Sequence, residues 1–520
     1  MILVTARQMQ EMDNNTINTF GIPGLVLMES AGRGALEVLV DHFDPIEDFR
    51  VAIIAGRGNN GGDGFVIGRY LMEMGVGVSF FLLSGRDRVS GDARVNMELA
   101  EKLLAEHPDS EFIEVPDHKA FERYKPRILD HDLFVDAIFG TGLNSDVRGF
   151  FKDVIMALNL SGSPIFSVDI PSGINADTGQ VCGVAVEADA TATFAFAKAG
   201  HVLYPGNFHT GDLEIIDIGI PGHIARAEHP GIFLPGPEDI ADFLPPRAFN
   251  SHKGTHGHLM VVAGSPGKTG AAALCANAAM RCGTGLVTLG APKDTCPVLE
   301  PLVVEPMTLD LGQTGSGTLP ASALEKITGH LADKQALALG PGLGTDRETR
   351  ELVKALLAAA EIPMVIDADG LNCLADDPGI LKSAKAPVIL TPHPGEMARL
   401  TGKTSAEIQA DRLEPARSFA EQYHAILVLK GAQTLVCCPD RSCFICPTGN
   451  PGMASGGMGD VLTGIIAGFL AQGLPADTAA IVGTYVHGLC GDILARETPV
   501  GFLASDMVAT IPDALAELMS

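Results

Sequence analysis

The chain carries little positive charge for its length, and this deficit narrows the kinds of partner that it can bind. Lysine and arginine together number 36 against 63 aspartate and glutamate residues, so the formal net charge over 520 residues is −27. A chain of this charge repels nucleic acid and anionic membrane surfaces. A phosphate-bearing ligand must therefore be held locally, by backbone N–H groups and a few placed cations. We expect small-molecule ligands, and neither nucleic acid nor a membrane as partner.

Two kinds of membrane-directed segment are also missing. The opening residues, MILVTARQMQEMDNN, contain no basic stretch followed by an apolar core, which a secretory signal would have. No apolar run reaches membrane-spanning length without a glycine or a charge. We therefore expect a cytoplasmic protein whose ten cysteines are reduced thiols.

What the sequence does contain is a repeated alternation of apolar runs and amphipathic stretches. The apolar runs end in glycine-rich turns, as at 51–56, 165–173, 364–370 and 426–431, and stretches such as 348–360 separate them. Buried parallel strands that alternate with helices give this pattern, so the predicted class is α/β. A single core rarely extends over 520 residues, which predicts at least two domains.

The alternation breaks once, between residues 221 and 247, where proline is frequent and no strong period is present. We interpret this stretch as the junction between two domains. The predicted domains cover residues 1–225 and 235–520. They share an architecture, but their motifs differ.

The front half contains a glycine-rich turn between a predicted strand and a predicted helix. In VAIIAGRGNNGGDGFVIGRYL the glycines allow backbone N–H groups to approach a ligand closely. The spacing departs from a dinucleotide fingerprint because Asn59, Asn60 and Asp63 interrupt it. Taken alone, the turn is equally compatible with a tight structural connection.

Two further predicted strand ends carry polar side chains. Asp136 lies near one end, followed by a turn with Asn144 and Asp146, and Asp169 and Ser172 lie at another. Because ligands of open parallel sheets bind beyond the carboxyl ends of the strands, we expect one convergent polar site. Oxygen ligands of this kind suit a hard monovalent or divalent cation.

Together with MQEMDNNTINTFGIPGLVLMESAG near the start, these motifs resemble the YjeF N-terminal family, the NAD(P)H-hydrate epimerases, over about residues 1–225. The resemblance implies a Rossmann-like three-layer αβα sandwich, with a potassium ion bound by Asn60, Asp136 and Ser172. Asp169 is the expected acid–base residue. The implied contacts with the hydrated nicotinamide nucleotide are Asn59, Asn60, Gly61, Gly62, Asp63, Gly140, Thr141, Gly142, Leu143, Asn144, Ser145, Asp146 and Asp169.

A second glycine-rich turn, GGMGD, opens a predicted helix in the back half. The N–H groups and the dipole at the start of this helix would form an anion hole with Asp460 at its mouth. A carboxylate there can take a proton from an alcohol while the hole holds a phosphoryl group. The structural alternative is an N-cap aspartate on a packed helix.

Five further motifs accompany this turn: HKGTHGHLMVVAGSPGKTGAAALCANAAMRCGTGLV, ALGPGLGTD, VIDADGLN, TPHPGEMARL and LVLKGAQTLV. Together they resemble the NAD(P)H-hydrate dehydratases, the YjeF C-terminal family with a ribokinase-like α/β fold, over about residues 235–520. The resemblance implies that Asp460 acts on the C6 hydroxyl of the hydrated nucleotide. The implied nucleotide-binding residues are Lys430, Gly431, Ala432, Gln433, Thr434 and Gly459. The implied pocket for the hydrated nucleotide includes Ala271, Gly342, Gly344 and His393.

Joined in one chain, the two resemblances imply an enzyme that repairs hydrated NADH and NADPH. The front half would interconvert the R and S epimers at C6, and the back half would dehydrate the S form. ADP is the expected phosphoryl donor, with ATP as the alternative, and Mg²⁺ would accompany the nucleotide. The resemblance also implies a homo-oligomer.

Several alternatives stay open from the residues alone. The GGMGD turn is also compatible with a small-molecule kinase, and the front half with a binding module or scaffold. His393 could be a turn histidine packed between prolines. Cys437, Cys438, Cys443 and Cys446 include a CxxC pattern, but side chains in a hairpin alternate faces. We therefore expect these cysteines to be small apolar residues and not a zinc site.

Overall fold

The chain is divided into two compact units. The structure, a computed structural model, describes residues 1–520. The N-terminal unit spans Ile2–Ile232, and the C-terminal unit spans Phe233–Ser520 together with Met1. The predicted two-domain α/β architecture is confirmed, and the division falls inside the proline-rich stretch at 221–247. The boundaries at residues 225 and 235 stay a prediction.

The N-terminal unit alternates strands and helices. Its strands are β1 (Ile2–Val4), β2 (Arg50–Ala55), β3 (Gly77–Leu82), β4 (Glu111–Glu114), β5 (Leu133–Ala137), β6 (Ile165–Val168), β7 (Ala190–Phe194), β8 (Ala197–Lys198) and β9 (Asp212–Ile216). Its α-helices are α1 (Ala6–Asn14), α2 (Gly24–His42), α3 (Asn59–Glu73), α4 (Gly91–Leu103), α5 (His118–Ile128), α6 (Phe150–Asn159), α7 (Ala199–Val202), α8 (Gly206–Thr210) and α9 (Gly222–Ala227). A π-helix, Asn15–Phe20, continues α1.

Seven of these strands form a parallel sheet that is covered on both faces. Their order is β4-β3-β2-β5-β6-β7-β9. Successive residues of a strand point to opposite faces. Val51 and Ile53 of β2 belong to the core formed with α2, α3 and α4, whereas Ala52 and Ile54 belong to the core formed with α5 and α6. The result is the predicted three-layer αβα sandwich.

The strand order of this sheet reverses between β2 and β5. Strands β3 and β4 lie on one side of this pair, and β6, β7 and β9 lie on the other. A crevice opens beyond the carboxyl ends of the strands at such a reversal, and it is the usual place for a ligand. The glycine turn after β2 and the polar turns after β5 and β6 all leave from this edge.

The C-terminal unit follows the same scheme with more helices. Its strands are β10 (Ile232–Phe233, at the boundary), β11 (His258–Val262), β12 (Leu286–Ala291), β13 (Met307–Asp310), β14 (Ala336–Leu339), β15 (Met364–Ile366), β16 (Val388–Leu390), β17 (Ile426–Leu429), β18 (Leu435–Cys437) and β19 (Cys443–Ile445). Its α-helices are α10 (Pro237–Phe243), α11 (Thr269–Arg281), α12 (Cys296–Leu299), α13 (Ala323–Leu331), α14 (Arg347–Ala359), α15 (Asp369–Leu374), α16 (Pro394–Thr401), α17 (Ser405–Ala410), α18 (Leu413–Tyr423), α19 (Met458–Ala471), α20 (Ala476–Glu497) and α21 (Ala504–Met519).

The sheet of this unit runs β13-β12-β11-β14-β15-β16-β17 in parallel and continues with β18 and β19, which pair antiparallel. Leu259 and Val261 of β11 pack into the core formed with α11, α19, α20 and α21. The alternate residues Met260 and Val262 are buried on the other face. The strand order reverses between β11 and β14, which opens a second crevice.

Helix α20 is long and apolar enough to cross a membrane by length and composition. It has 22 residues, and the mean hydropathy of its most apolar window is 1.2. About two thirds of that window (67%) is buried, with Val482 and Val486 in the core. We interpret α20 as a core helix.

The predicted hairpin of cysteines is formed by β18 and β19. Cys437 and Cys443 occupy directly opposed positions, and their buried Sγ atoms are 3.0 Å apart. Opposed residues of an antiparallel pair share a face, so these two thiols are in contact. That the four cysteines do not form a zinc site stays a prediction. All ten cysteines are free thiols.

Candidate active sites

The three predicted potassium ligands lie together below the glycine turn of the N-terminal unit. The fully buried carboxylate of Asp136 accepts hydrogen bonds from Ser172 Oγ at 2.6 Å, Ser172 N at 2.8 Å and Ser167 Oγ at 2.9 Å. Asn60 Nδ2 donates to the carbonyl of Phe139 at 3.0 Å, and Ser172 Oγ lies 3.2 Å from the same carbonyl. Burial raises the pKa of Asp136 despite these hydrogen bonds.

One oxygen of this cluster has no partner. The Oδ1 atom of Asn60 is buried and accepts no hydrogen bond. An unsatisfied buried acceptor costs about 1–3 kcal/mol, a cost that a bound cation or water removes. Amide, hydroxyl and carboxylate oxygens are the donors that hard cations prefer. The residues present therefore fit a potassium ion.

Asp169 follows β6 in a backbone conformation that few side chains adopt. Its φ is +64°, which costs about 1–2 kcal/mol for a residue other than glycine. Its carboxylate accepts from Lys198 Nζ at 2.7 Å and from Thr193 Oγ1 at 3.2 Å. Its carbonyl accepts from His201 Nε2 at 2.8 Å. These contacts hold Asp169 in its strained backbone conformation. Gly140 lies next to the same carboxylate, because a Cβ on Gly140 would be 3.4 Å from Asp169 Oδ2.

Opposite electrostatic environments surround Asp169 and Asp63. Burial alone would raise the pKa of Asp169, but the charge and hydrogen bond of Lys198 outweigh burial and lower it. Asp63, in the second turn of α3, is buried. Burial and the charges of Asp169 and Asp13 raise the pKa of Asp63 well above its ordinary value. Burial also raises the pKa of Asp13 to about 6. The pKa values of two neighbouring carboxyls in this crevice are thus shifted in opposite directions.

The turn after β5 reaches from this crevice to the surface. Its first residue, Gly140, is close to Asn60, because a Cβ on Gly140 would lie 3.5 Å from Asn60 Cβ. Thr141 and Leu143 are half-buried. The remaining predicted contacts of this turn are exposed: Gly142, Asn144, Ser145 and Asp146. The structure therefore brings Gly140 together with Asn60 and Asp169 and leaves the end of the turn in solvent.

In the C-terminal unit, Asp460 lies in the first turn of the 14-residue helix α19. The N-cap is Gly457, with φ +92°, so the interpretation of Asp460 as an N-cap is wrong. Val461 N donates to Gly457 O at 3.2 Å, which leaves the amides of residues 458–460 pointing out of the helix N-terminus. This end carries the positive pole of the helix dipole, as an anion hole requires.

Acidic side chains surround one lysine beside Asp460. Lys430 Nζ lies 2.9 Å from Asp367 Oδ1 and 3.8 Å from Glu396 Oε2, and Thr463 Oγ1 donates to Asp367 Oδ2 at 2.7 Å. Burial alone would lower the pKa of Lys430, but the charges of Asp367 and Glu396 outweigh burial and raise it. Burial and the charge of Asp367 raise the pKa of Asp460 to about 7. The pKa of Asp460 is therefore raised toward neutral pH, beside a lysine whose own pKa is also raised.

The predicted nucleotide-binding residues form one turn next to this lysine. Residues 430–434 follow β17, with φ +144° at Gly431 and +48° at Gln433. A Cβ on Gly459 would lie 3.2 Å from Lys430 Nζ, so Gly459 faces the same turn. The structure thus brings the two predicted parts of the nucleotide site together.

The predicted pocket for the hydrated nucleotide lies between α11 and the loop after β14. A Cβ on Gly342 would lie 3.2 Å from Ala271 Cβ. Gly344 N donates to Asp369 Oδ2 at 2.9 Å, and Lys268 Nζ contacts the same oxygen at 2.8 Å. Lys268 and Asp369 therefore line this region, although the sequence did not single them out.

His393 is the N-cap of α16. Its Nδ1 atom accepts from Gly395 N at 3.0 Å and from Glu396 N at 3.3 Å. Burial and the charge of Lys430 lower the pKa of His393, in agreement with a neutral ring that accepts hydrogen bonds. Its observed contacts are those of a structural cap, and its contact with substrate stays a prediction.

Besides Lys268 and Asp369, sequence reasoning missed five residues of the two crevices. Asp367 and Glu396 lie within the motifs VIDADGLN and TPHPGEMARL, and the signal for them is an acidic residue soon after a buried strand. Lys198 follows the apolar run FAFA, where a buried charge is unusual. Asp13 and His201 carry no comparable signal, because only the fold brings them near Lys198.

Comparisons with known proteins divide the chain in the same way. A family model described as YjeF-related protein N-terminus matches residues 24–200, and one described as NAD(P)H-hydrate dehydratase matches residues 259–513. Among solved structures, the ADP/ATP-dependent NAD(P)H-hydrate dehydratase from Bacillus subtilis, co-crystallised with ATP and Mg²⁺, is 32% identical. That match has a TM-score of 0.47 and covers 54% of this chain and 97% of the other.

Two curated relatives match along nearly their whole length. The bifunctional NAD(P)H-hydrate repair enzyme Nnr of Moorella thermoacetica is 42% identical over 520 residues, which cover 100% of this chain and 97% of the relative. The enzyme of the same name from Escherichia coli is 33% identical over 504 residues, which cover 96% of this chain and 91% of the relative. The chain belongs to the family of bifunctional NAD(P)H-hydrate repair enzymes.

Proposed function

We propose that the chain repairs hydrated NADH and NADPH by two reactions, one in each unit. The N-terminal domain, residues 1–225, interconverts the R and S epimers at C6. The C-terminal domain, residues 235–520, dehydrates the S form with ADP as phosphoryl donor, and ATP is the alternative. The observation that carries the proposal is that each unit holds a carboxylate that directly follows a parallel strand and contacts a lysine, Asp169 with Lys198 and Asp367 with Lys430.

The epimerase chemistry follows from the two carboxyls of the first crevice. The hydrated ring has a hydroxyl on C6, next to the ring nitrogen. Asp169, which Lys198 keeps anionic, takes the hydroxyl proton as C6 becomes a carbonyl and its bond to nitrogen breaks. Asp63, which burial keeps neutral, donates a proton to that nitrogen, and the ring closes again on the other face. Carboxyls with separated pKa values are typical of such acid–base pairs.

The remaining residues of the first crevice hold the substrate and a cation. The turns 59–63 and 140–146 bind the hydrated nucleotide, through backbone N–H groups that glycine leaves accessible. Asn60, Asp136 and Ser172 hold potassium, whose charge offsets Asp136 and satisfies the free Asn60 oxygen. The thermal unfolding midpoint is then higher in KCl than in NaCl. At ten times its Kd, potassium adds about 1.4 kcal/mol, and Asn60→Ala removes the difference. Equal midpoints in both salts would contradict this assignment.

The dehydratase chemistry centres on Asp460. Asp460 takes the proton of the C6 hydroxyl, whose oxygen attacks the β-phosphorus of ADP and releases AMP. Phosphate then leaves C6, pushed by the ring nitrogen, and C5 loses a proton, which yields NAD(P)H. The amides at the start of α19 stabilise the transferring phosphoryl group, and Lys430 offsets its charge. Mg²⁺ reduces the phosphate charge of the bound nucleotide, and the carboxylates around Lys430 are oxygen ligands of the kind it prefers.

The same proposal assigns the other predicted residues. Residues 430–434 and Gly459 bind the nucleotide, and Ala271, Gly342, Gly344 and His393 line the pocket of the hydrated substrate. Location in the cytoplasm and assembly of identical chains belong to the proposal as well. The free thiols are in keeping with a reducing compartment.

The experiment is a repair assay. The purified protein is incubated with hydrated NADH and either ADP or ATP, and the absorbance of the reduced nicotinamide is followed. We expect recovery of NADH with release of AMP and phosphate when ADP is the donor. Absence of recovery with both donors would contradict the proposed function.

A further inference from the structure

A buried arginine lies below the predicted nucleotide turn and belongs to none of the residues assigned so far. Arg412, immediately before α18, is only 8% exposed. Its Nη2 atom donates to the carbonyl of Leu429 at 3.0 Å, and its Nη1 atom donates to the carbonyl of Ala432. The guanidinium thus joins the last residue of β17 to the middle of the turn 430–434.

The charge of Arg412 has no carboxylate partner. Burial lowers its pKa to about 10, and no aspartate or glutamate charge opposes that effect. Its Nε atom is also buried without an acceptor. A buried charge is costly when it is offset only by two carbonyl dipoles. An anionic ligand bound to the adjacent turn would reduce that cost.

The conformation of the turn depends on the same guanidinium. Gly431 has φ +144°, and a Cβ there would lie 3.0 Å from Arg412 Nη2, so the glycine leaves room for the arginine. Gln433, with φ +48°, is a second unfavourable backbone position. Such positions persist only where surrounding contacts fix them, and the two carbonyls that Arg412 binds lie on either side of Gly431.

We propose that Arg412 is a positioning residue for the nucleotide of the C-terminal unit. Its two hydrogen bonds hold the turn 430–434 in the binding conformation before the nucleotide binds. The turn then loses less conformational entropy on binding. Its unpaired charge favours an anionic nucleotide over a neutral nucleoside. The inference rests on the proposed role of the turn 430–434 in nucleotide binding.

The test compares Arg412→Met and Arg412→Lys with the unaltered protein. Methionine keeps an apolar side chain of similar length but removes the guanidinium and its charge. Lysine keeps the charge but cannot donate to the carbonyls of Leu429 and Ala432 at the same time. We expect the Kd and the KM for ADP to rise about tenfold in Arg412→Met and about threefold in Arg412→Lys. The kcat of dehydration should change less than about twofold, because the ion pair with Asp367 still holds Lys430 beside the reacting phosphoryl group. The affinity for adenosine should fall less than that for ADP in Arg412→Met.

Arg417→Met is the matched control. Arg417 lies on α18 and donates to the carbonyl of Arg441 at 2.6 Å, in the turn between β18 and β19. Its loss should leave the Kd for ADP unchanged. An unchanged Kd in Arg412→Lys and Arg412→Met, or an equal rise in Arg417→Met, would overturn the inference. If Arg412→Met does not fold, Arg412→Lys decides alone. If the unaltered protein does not bind ADP, that result contradicts both the proposed function and this inference.

Discussion

At the scale of single residues, the two crevices differ in which carboxylate the lysine contacts. Lys198 contacts Asp169 directly at 2.7 Å, and the pKa of that carboxyl is lowered. Lys430 contacts Asp367 at 2.9 Å, and Asp460, which lacks this contact, has its pKa raised to about 7. One arrangement suits a carboxylate that stays anionic, and the other suits a carboxyl that exchanges its proton near neutral pH.

The first prediction concerns Lys198→Met. Without the lysine, the main effect that opposes burial of Asp169 is lost, so the pKa of Asp169 rises. The acid limb of the pH profile for epimerisation should then move to higher pH. Exchange between the R and S epimers, followed by chromatography from about pH 4 to pH 9, measures this limb. If the acid limb of the pH profile stays at the same pH, Asp169 does not take part in the proton transfer.

The second prediction concerns the pH dependence of dehydration. Because Asp460 must lose its proton to act as a base, the rate should rise with pH through about 7. Asp460→Asn should still bind ADP but lose dehydration by about 10²-fold or more. Retained turnover in this variant would assign the proton transfer to another group.

The same pKa has a consequence for stability. A carboxyl with a raised folded pKa stabilises the fold when protonated, and that contribution is lost as pH rises from about 4 through about 7. The Tm of Asp460→Asn relative to the unaltered protein should therefore increase between pH 5 and pH 8. A constant difference in Tm would mean that Asp460 has an ordinary pKa.

Asp169 and Asp460 could be singled out from the sequence because each lies in a motif at a predicted strand or helix end. The protonation states of Asp169 and Asp460 could not be predicted from the sequence, because they depend on burial and on the neighbouring Lys198 and Lys430. Lys198 is 29 residues from Asp169 and follows β7, and the pairing of β6 with β7 brings the two residues close in space. Arg412 has no sequence signal, since its partners are backbone carbonyls.

At the scale of elements, the close packing of α11 against α19 determines where Asp460 lies. Gly464 of α19 packs against the backbone of α11, and a Cβ there would lie 2.2 Å from the carbonyl oxygen of Cys275. The same two helices carry Ala271 and Asp460 in their first turns. The GGMGD turn predicted the start of α19, but the sequence did not predict the distance between α11 and α19, which small side chains at specific positions set.

The third prediction follows from this contact. Gly464→Ala forces α11 and α19 apart, so we expect a loss of about 1–3 kcal/mol in the free energy of unfolding. The kcat/KM for dehydration should fall as well, since Ala271 and Asp460 move apart. Urea unfolding and the repair assay measure the two effects. Gly329→Ala is the control, because a Cβ at this position of α13 meets nothing within 4 Å. An equal loss in the control, or none in Gly464→Ala, would contradict the account.

At the scale of the whole molecule, the chain joins two α/β units that share a sheet plan. In each, a central reversal of strand order creates the crevice that the functional side chains enter. The apolar runs of the sequence predicted the strands of both sheets, because strands that are buried on both faces consist of consecutive apolar residues. The chemistry of the two units differs because the turns that follow their strands carry different residues. The dehydratase can consume both epimers only if the epimerase converts the R form to the S form.

Conversion of a mixture of R and S hydrated NADH with excess ADP tests this division of labour most directly. The account predicts that the unaltered protein converts both epimers to NADH. Asp169→Asn, in which asparagine tolerates the positive φ of +64°, should stop when the S form is used up. Asp460→Asn should form no NADH and still equilibrate the epimers. Rapid conversion of the R form by Asp169→Asn, or of either form by Asp460→Asn, would contradict the account.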